Sequence, residues 1–200
     1  MHLFGITFGE GNIKLGEVFT FSLPSVITCP GASIWCKKYC YSLSYERLRP
    51  TCRSAYEQNL LLAKDPKQFE KIIIGVLPRI LPCMRIHVSG DFWSKEYIES
   101  WIKICLAFPQ TKFWTYTRSW TVPNLVGPLE QLRLLPNIEI FASTDPTMPN
   151  PPDEWRAAFI DSDERSKGLR CSQQEELLNS CLECGYCFRK EKGDVIFKVH

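Results

Sequence analysis

Apolar and polar positions along the chain fall into two rhythms that take turns, short strand-like runs and longer runs of helical period. Glu17–Leu23 carries aromatic and β-branched residues and predicts a first strand. Thr51 predicts a cap for a helix from Arg53 to about Lys64, with Leu60, Leu61 and Ala63 as its apolar part. Asp65-Pro66 restarts a helix that runs to about Leu77 and stops before Pro78. Met84–Ser89 predicts a second strand, closed by Gly90. Ser94 caps the next helix, in which Tyr97, Trp101, Ile104 and Cys105 recur at helical spacing. A third strand over Lys112–Thr117, a helix over Leu125–Leu135 capped by Asn124 and a fourth strand over Asn137–Ser143 follow.

Repeated βα units imply an α/β fold with a mostly parallel sheet and right-handed crossovers. About four strands precede the proline-rich stretch Pro146–Pro152, too few for a closed eight-strand barrel. The expected architecture is a partial, open βα barrel over residues 1–165, with a small cysteine-rich, cluster-binding module over residues 166–200.

Chemistry in such folds collects at the carboxyl ends of strands, where loops and helix N-termini meet. The first such end leads into a cysteine loop. The second gives Ser89-Gly90-Asp91, the third Tyr116-Thr117-Arg118-Ser119, the fourth Ser143-Thr144-Asp145. Strand alternation puts Arg85, His87 and Ser89 on one face, and a polar face on a central strand is costly unless it lines a cavity. Taken singly, Asp91 and Asp145 also suit helix or turn caps, Arg118 an ion pair and His87 a hydrogen-bonded structural role. Polar residues at all four ends together favour a ligand site.

Composition narrows the setting. A net charge of +2 with no long basic run does not announce a nucleic-acid partner, although it leaves one possible. The N-terminus lacks the pattern of a secretory signal, and the most apolar stretch, Ile72–Leu81, is too short to span a bilayer. Ten cysteines without an export signal predict a reducing, cytoplasmic setting, where clustered thiols bind metal more often than they pair.

Cys29, Cys36 and Cys40 lie close together just after the first strand, around a Pro30-Gly31 turn. Three thiolates from one loop can hold a [4Fe–4S] cluster by three irons and leave the fourth open. Zinc would need a fourth ligand that the loop does not supply. Trp35, Tyr39 and Tyr41 would shield the sulfurs. A second group, Cys171, Cys181, Cys184 and Cys187, supplies four ligands for a closed second cluster, with four-cysteine zinc as the alternative. Ser172-Gln-Gln-Glu175 has the form of a capping box and predicts a short helix over residues 173–179, folding Cys171 toward the other three. Cys52, Cys83 and Cys105 stand alone, the last on an apolar helix face.

The Cys-Pro-Gly-Ala…Cys…Cys-Tyr-Ser pattern at 29–42, Arg-Ile-His-Val-Ser-Gly-Asp-Phe-Trp at 85–93 and Phe-Trp-Thr-Tyr-Thr-Arg-Ser at 113–119 together resemble the phage-associated gene-product-88 family across residues 20–187. That family in turn resembles an offshoot of the radical S-adenosylmethionine (radical SAM) superfamily. There a three-cysteine loop, usually spaced C-x3-C-x2-C against C-x6-C-x3-C here, follows the first strand and binds a [4Fe–4S] cluster. Tyr39 matches the aromatic before the last cysteine, and Ser89-Gly90-Asp91 sits where a glycine-glycine-glutamate motif contacts the methionine amino group. In that frame Tyr39, Ser89, Gly90, Asp91 and Ser143 would bind the cofactor, and Tyr116, Arg118 and Asp145 would be catalytic. The resemblance implies S-adenosylmethionine and two [4Fe–4S] clusters as cofactors, the second auxiliary, and an electron donor such as flavodoxin or ferredoxin. It leaves the substrate unknown. The rival class is a non-enzymatic, zinc- or iron–sulfur-stabilised module that binds nucleic acid or protein.

Overall fold

Among the described residues, a sheet of seven strands, every pairing parallel, carries the molecule. A computed structural model describes residues 1–12, 14–190 and 193–199. A short antiparallel pair, β1 (His2–Leu3) and β2 (Ile6–Thr7), precedes the main sheet. Next come β3 (Phe19–Phe21), α1 (Ile34–Lys38), α2 (Tyr41–Leu48), α3 (Pro50–Ala63) and α4 (Pro66–Val76). The regular βα part continues as β4 (Cys83–Ile86), α5 (Lys95–Ala107), β5 (Lys112–Thr117), α6 (Pro123–Arg133) and β6 (Ile138–Ser143). The chain then adds β7 (Arg156–Ile160), β8 (Leu169–Arg170), the single turn α7 (Cys181–Cys184) and β9 (Val195–Phe197). The sheet order is β3-β4-β5-β6-β7-β9-β8.

The two faces of the sheet have different cover. Phe21, Met84, Ile86, Phe113, Ile138 and Ile140 point to one side, where Phe69, Ile73, Trp101, Ile104, Leu125 and Leu129 of α4, α5 and α6 meet them. Each such fully buried side chain contributes about 1.5–3 kcal/mol relative to exposure. Cys83, Trp114, Phe141, Ala158 and Val195 face the other way, with no residue of α3–α6 against them. Segments flanking the sheet, Leu15–Val18 and Cys171–Phe188, cover this second face. No helix among the described residues is long and apolar enough to cross a membrane.

Most expected elements form, with boundaries moved for local reasons. Helix α3 starts at Pro50 and α6 at Pro123, because proline at the first helical position forfeits no hydrogen bond. Ser94 and Asp65 do cap α5 and α4, accepting from the Tyr97 and Gln68 amides. β4 stops at Ile86, three residues short of the expected Ser89, since His87 adopts a left-handed φ of 63°. This break ends the regular alternation of Arg85, His87 and Ser89, although all three line one cavity. The His87 ring meets the Tyr97 hydroxyl on α5 at 2.8 Å.

The helix expected over 173–179 is also absent. Glu175 does not reach back to a cap; its carboxylate pairs with Lys198 at 3.3 Å, and Glu176 has a positive φ. The helical turn forms instead at Cys181–Cys184, capped by Ser180. Nor does the sheet break near residue 165: β9 lies between β7 and β8 and pairs with both, so the last part of the chain completes the same sheet.

Candidate active site

Beyond β3 the chain folds into tight turns that set out the three loop cysteines. The Thr28 hydroxyl donates to the Pro24 carbonyl at 2.6 Å, the Cys29 amide to Val26 at 3.2 Å and the Ala32 amide to Cys29 at 3.1 Å. Ser33 caps α1 by accepting from the Cys36 amide at 2.9 Å. Cys40 caps α2 with its own sulfur, which accepts from the Leu43 amide at 3.4 Å. Gly31 presses on the end of β5: a Cβ there would lie 2.1 Å from the Arg118 carbonyl oxygen.

The other strand ends are knit to this loop by buried polar groups. Asp91 accepts from the Thr117 hydroxyl at 2.6 Å, its neighbour Phe92's amide at 2.7 Å and the Arg118 amide at 2.8 Å. Burial raises its pKa even so, outweighing those hydrogen bonds. Asp145 lies behind Arg118, fully buried, and pairs with its guanidinium. It also accepts from Ser33 at 2.7 Å and from the Thr147 hydroxyl at 2.6 Å. Burial alone would raise the Asp145 pKa, but these donors and the Arg118 charge hold it below the usual value. Gly90 needs its φ of 79° and has no room for a side chain, with Leu23 Cβ at 2.6 Å.

These ends surround a cavity of about 380 Å³. Cys29, Cys36, Tyr39 and Cys40 line it from the loop, and Ser89, Gly90 and Asp91 from β4. Tyr116, Arg118 and Ser143 line it from β5 and β6. Cys171, Cys181 and Cys187 line it from the tail. Cys184 is not part of that lining, but all four tail cysteines line an adjoining hollow of about 20 Å³. Of the residues expected at the site, only Asp145 and Cys184 stand back from the main cavity.

All ten cysteines are free thiols. Burial, aided by the charge of Asp91, raises the Cys29 pKa, and burial pushes Cys187 up to about 12. Ligation would therefore release protons and exchange them for a metal centre's positive charge. Among the described residues no three His, Cys, Asp or Glu side chains are drawn together tightly enough for a single ion. An iron–sulfur cluster presents a separate iron to each thiolate, so its ligands stand further apart, as partly spread thiols around a cavity do. The two thiol groups fit that demand in number and chemistry.

The gene product 88 family profile matches residues 6–190. The chain belongs to the gene product 88 family. It is 26% identical to the Gene 88 protein of Mycobacterium phage L5 over 220 residues, covering 94% of this chain and 90% of that protein. It is 28% identical to the Gene 88 protein of Mycobacterium phage D29 over 149 residues, covering 68% of this chain and 60% of the D29 protein. No solved structure matches the chain.

Several residues of this family member's site carry no signal in the sequence. Glu46, on α2, is buried and accepts from the Ser25 amide at 2.9 Å and the Ser89 hydroxyl at 2.7 Å, tying the cysteine loop to the end of β4. Ser33 joins the same loop to Asp145. Lys14 lines the cavity from an irregular segment before β3. Their neighbours are distant in sequence, so no spacing rule marks them.

Proposed function

We propose that this protein is an iron–sulfur enzyme of the radical SAM type, which cleaves S-adenosylmethionine at a cluster held by Cys29, Cys36 and Cys40 and uses the product radical on a substrate. The observation that carries the reading is a single cavity, at the carboxyl ends of parallel strands, lined by the three loop thiols and by three of the tail thiols. Consecutive parallel strands with crossover helices on one face suit the open βα barrel of that superfamily. A [4Fe–4S] cluster held by Cys29, Cys36 and Cys40 would supply one-electron reduction to a sulfonium bound beside it.

The chain's own residues bind, orient and exclude water. Ser89, Gly90 and Ser143 offer close backbone and hydroxyl contacts to the cofactor, and Asp91 Oδ2, with one amide donor, keeps acceptor capacity for an ammonium. Tyr39 packs on Trp35 with ring centroids 4.8 Å apart and screens the loop sulfurs. Arg118, held by Asp145, presents fixed positive charge to the cavity, and Tyr116 lines it beside Arg118. The tail thiols hold the auxiliary cluster, and a flavodoxin- or ferredoxin-like donor delivers electrons.

Anaerobic purification with iron and sulfide analysis, then incubation with reductant and S-adenosylmethionine, tests the reading. Two clusters give about eight irons per chain, and methionine and 5′-deoxyadenosine accumulate. Replacing Cys29, Cys36 and Cys40 by alanine removes half the iron and all of the cleavage. Fully loaded protein that leaves S-adenosylmethionine intact would overturn the reading in favour of a metal-stabilised binding module.

A further inference from the structure

Two cations line the cavity beside the tail thiols without a counter-ion. Lys14 and Arg85 are each half-buried, and neither forms an ion pair with a carboxylate among the described residues. Arg85 Nε is buried and lacks a hydrogen-bond partner, while its guanidinium lies over the Tyr116 ring at 5.1 Å. Lys14 Nζ lies over the Phe197 ring at 5.4 Å. The segment carrying Lys14 is tied to the tail by backbone hydrogen bonds, from the Cys181 amide to the Lys14 carbonyl at 2.8 Å and from the Leu182 amide to Leu15 at 3.2 Å. Lys14 lies within electrostatic reach of Arg85 and of the Cys171, Cys181 and Cys187 sulfurs.

Two like charges held together away from bulk water are costly unless an anion faces them. Protonated thiols do not supply one. Four thiolates around a [4Fe–4S] core of charge +2 do, because the assembly is a dianion. We propose that the hollow between Cys171, Cys181, Cys184 and Cys187 is a [4Fe–4S]–tetrathiolate site whose dianion is the counter-ion of Lys14 and Arg85. The two thiol groups then sit in opposite fields. Carboxylates of Asp91 and Asp145 and the Arg118 cation surround the loop group, whereas the tail group faces these two unpaired cations. With clusters in both, the tail cluster has the higher reduction potential, since positive surroundings favour the more negative, reduced form.

The inference rests only on metal at the tail, so S-adenosylmethionine cleavage can fail while it stands. The full chain is compared with Lys14→Gln/Arg85→Gln and with Arg85→Lys, which keeps the charge and gives up the planar stack. Metal retention is followed against a chelator, both in the full chain and with Cys29, Cys36 and Cys40 replaced by alanine. The double variant should lose tail metal roughly 10–100-fold more readily, and Arg85→Lys should retain it as the parent does. Redox titration should show the tail potential falling in the double variant and the loop potential unmoved, and zinc without sulfide at the tail would overturn the cluster. Equal retention in the double variant, or a tail that takes up no metal, would overturn it. So would stabilisation of metal-free protein by inorganic pyrophosphate that the double variant loses, which would assign the cations to a bound ligand.

Discussion

His87 and Asp91 show what burial does to single titratable groups here. His87 is buried, and desolvation, with the Arg85 charge, lowers its pKa from 6.5 to about 3. Below pH 6.5 the unfolded chain takes up a proton that the folded chain refuses, so stability falls as pH drops toward the folded value. The expected slope is up to about 1.4 kcal/mol per pH unit, visible above about pH 4, before the carboxylates titrate. Denaturant midpoints across that range should lose this slope in His87→Asn, since asparagine tolerates the left-handed backbone. A slope unchanged in the variant would place the proton uptake elsewhere. Asp91 gives a second prediction. Both its oxygens accept from backbone amides, so the Asp91→Asn amide must turn its NH2 toward one of them. The expected loss is about 1–3 kcal/mol in urea unfolding, whereas a helix cap would be nearly restored by asparagine. Ser94, not Asp91, caps α5, and the sequence offered both residues within four positions of each other.

At the scale of elements, the cysteine loop keeps its place through one close contact. Gly31 lies against the Arg118 carbonyl, and a methyl group there meets backbone that cannot swing aside. Gly31→Ala should therefore push the loop off the end of β5, lowering iron content by one cluster while far-ultraviolet dichroism stays close to the parent. Full iron loading in a folded Gly31→Ala protein would mean that the loop does not need this contact. Helices α4 and α5 were legible because their caps and apolar periods act locally, through Asp65, Ser94, Tyr97 and Trp101. The capping box was legible in kind and misplaced: Ser172 and Glu175 have the right spacing, yet Glu175 is drawn to Lys198, and Ser180 caps the turn that forms. The end of β4 was misread for the same reason, because the bond from His87 to Tyr97 is tertiary and leaves no periodic trace.

For the whole molecule, the strand ends named from sequence converge on one cavity because parallel strands share a carboxyl edge, which topology guarantees once the βα order is known. The last two strands were not legible as sheet: β8 and β9 are only two and three residues long, and β8 pairs with β9, which follows it in the chain. Their position changes what truncation should do. A chain ending at residue 165 loses β9 from the edge of β7 and uncovers Phe141 and Ala158. It should elute as aggregate in size-exclusion chromatography, or melt well below the parent, and a compact, fully stable monomer of residues 1–165 would show the body to be independent.

The insertion of β9 between β7 and β8 also orders events during synthesis. Strands β3 to β7 can each dock on the one made before, as the chain emerges. β8 cannot, because its partner is β9, which is made later. All four tail cysteines thus leave the ribosome before the strand that seats them, and for that interval they are tethered to a finished sheet edge yet free to move. The late arrival of Val195–Phe197 then fixes that segment against the sheet.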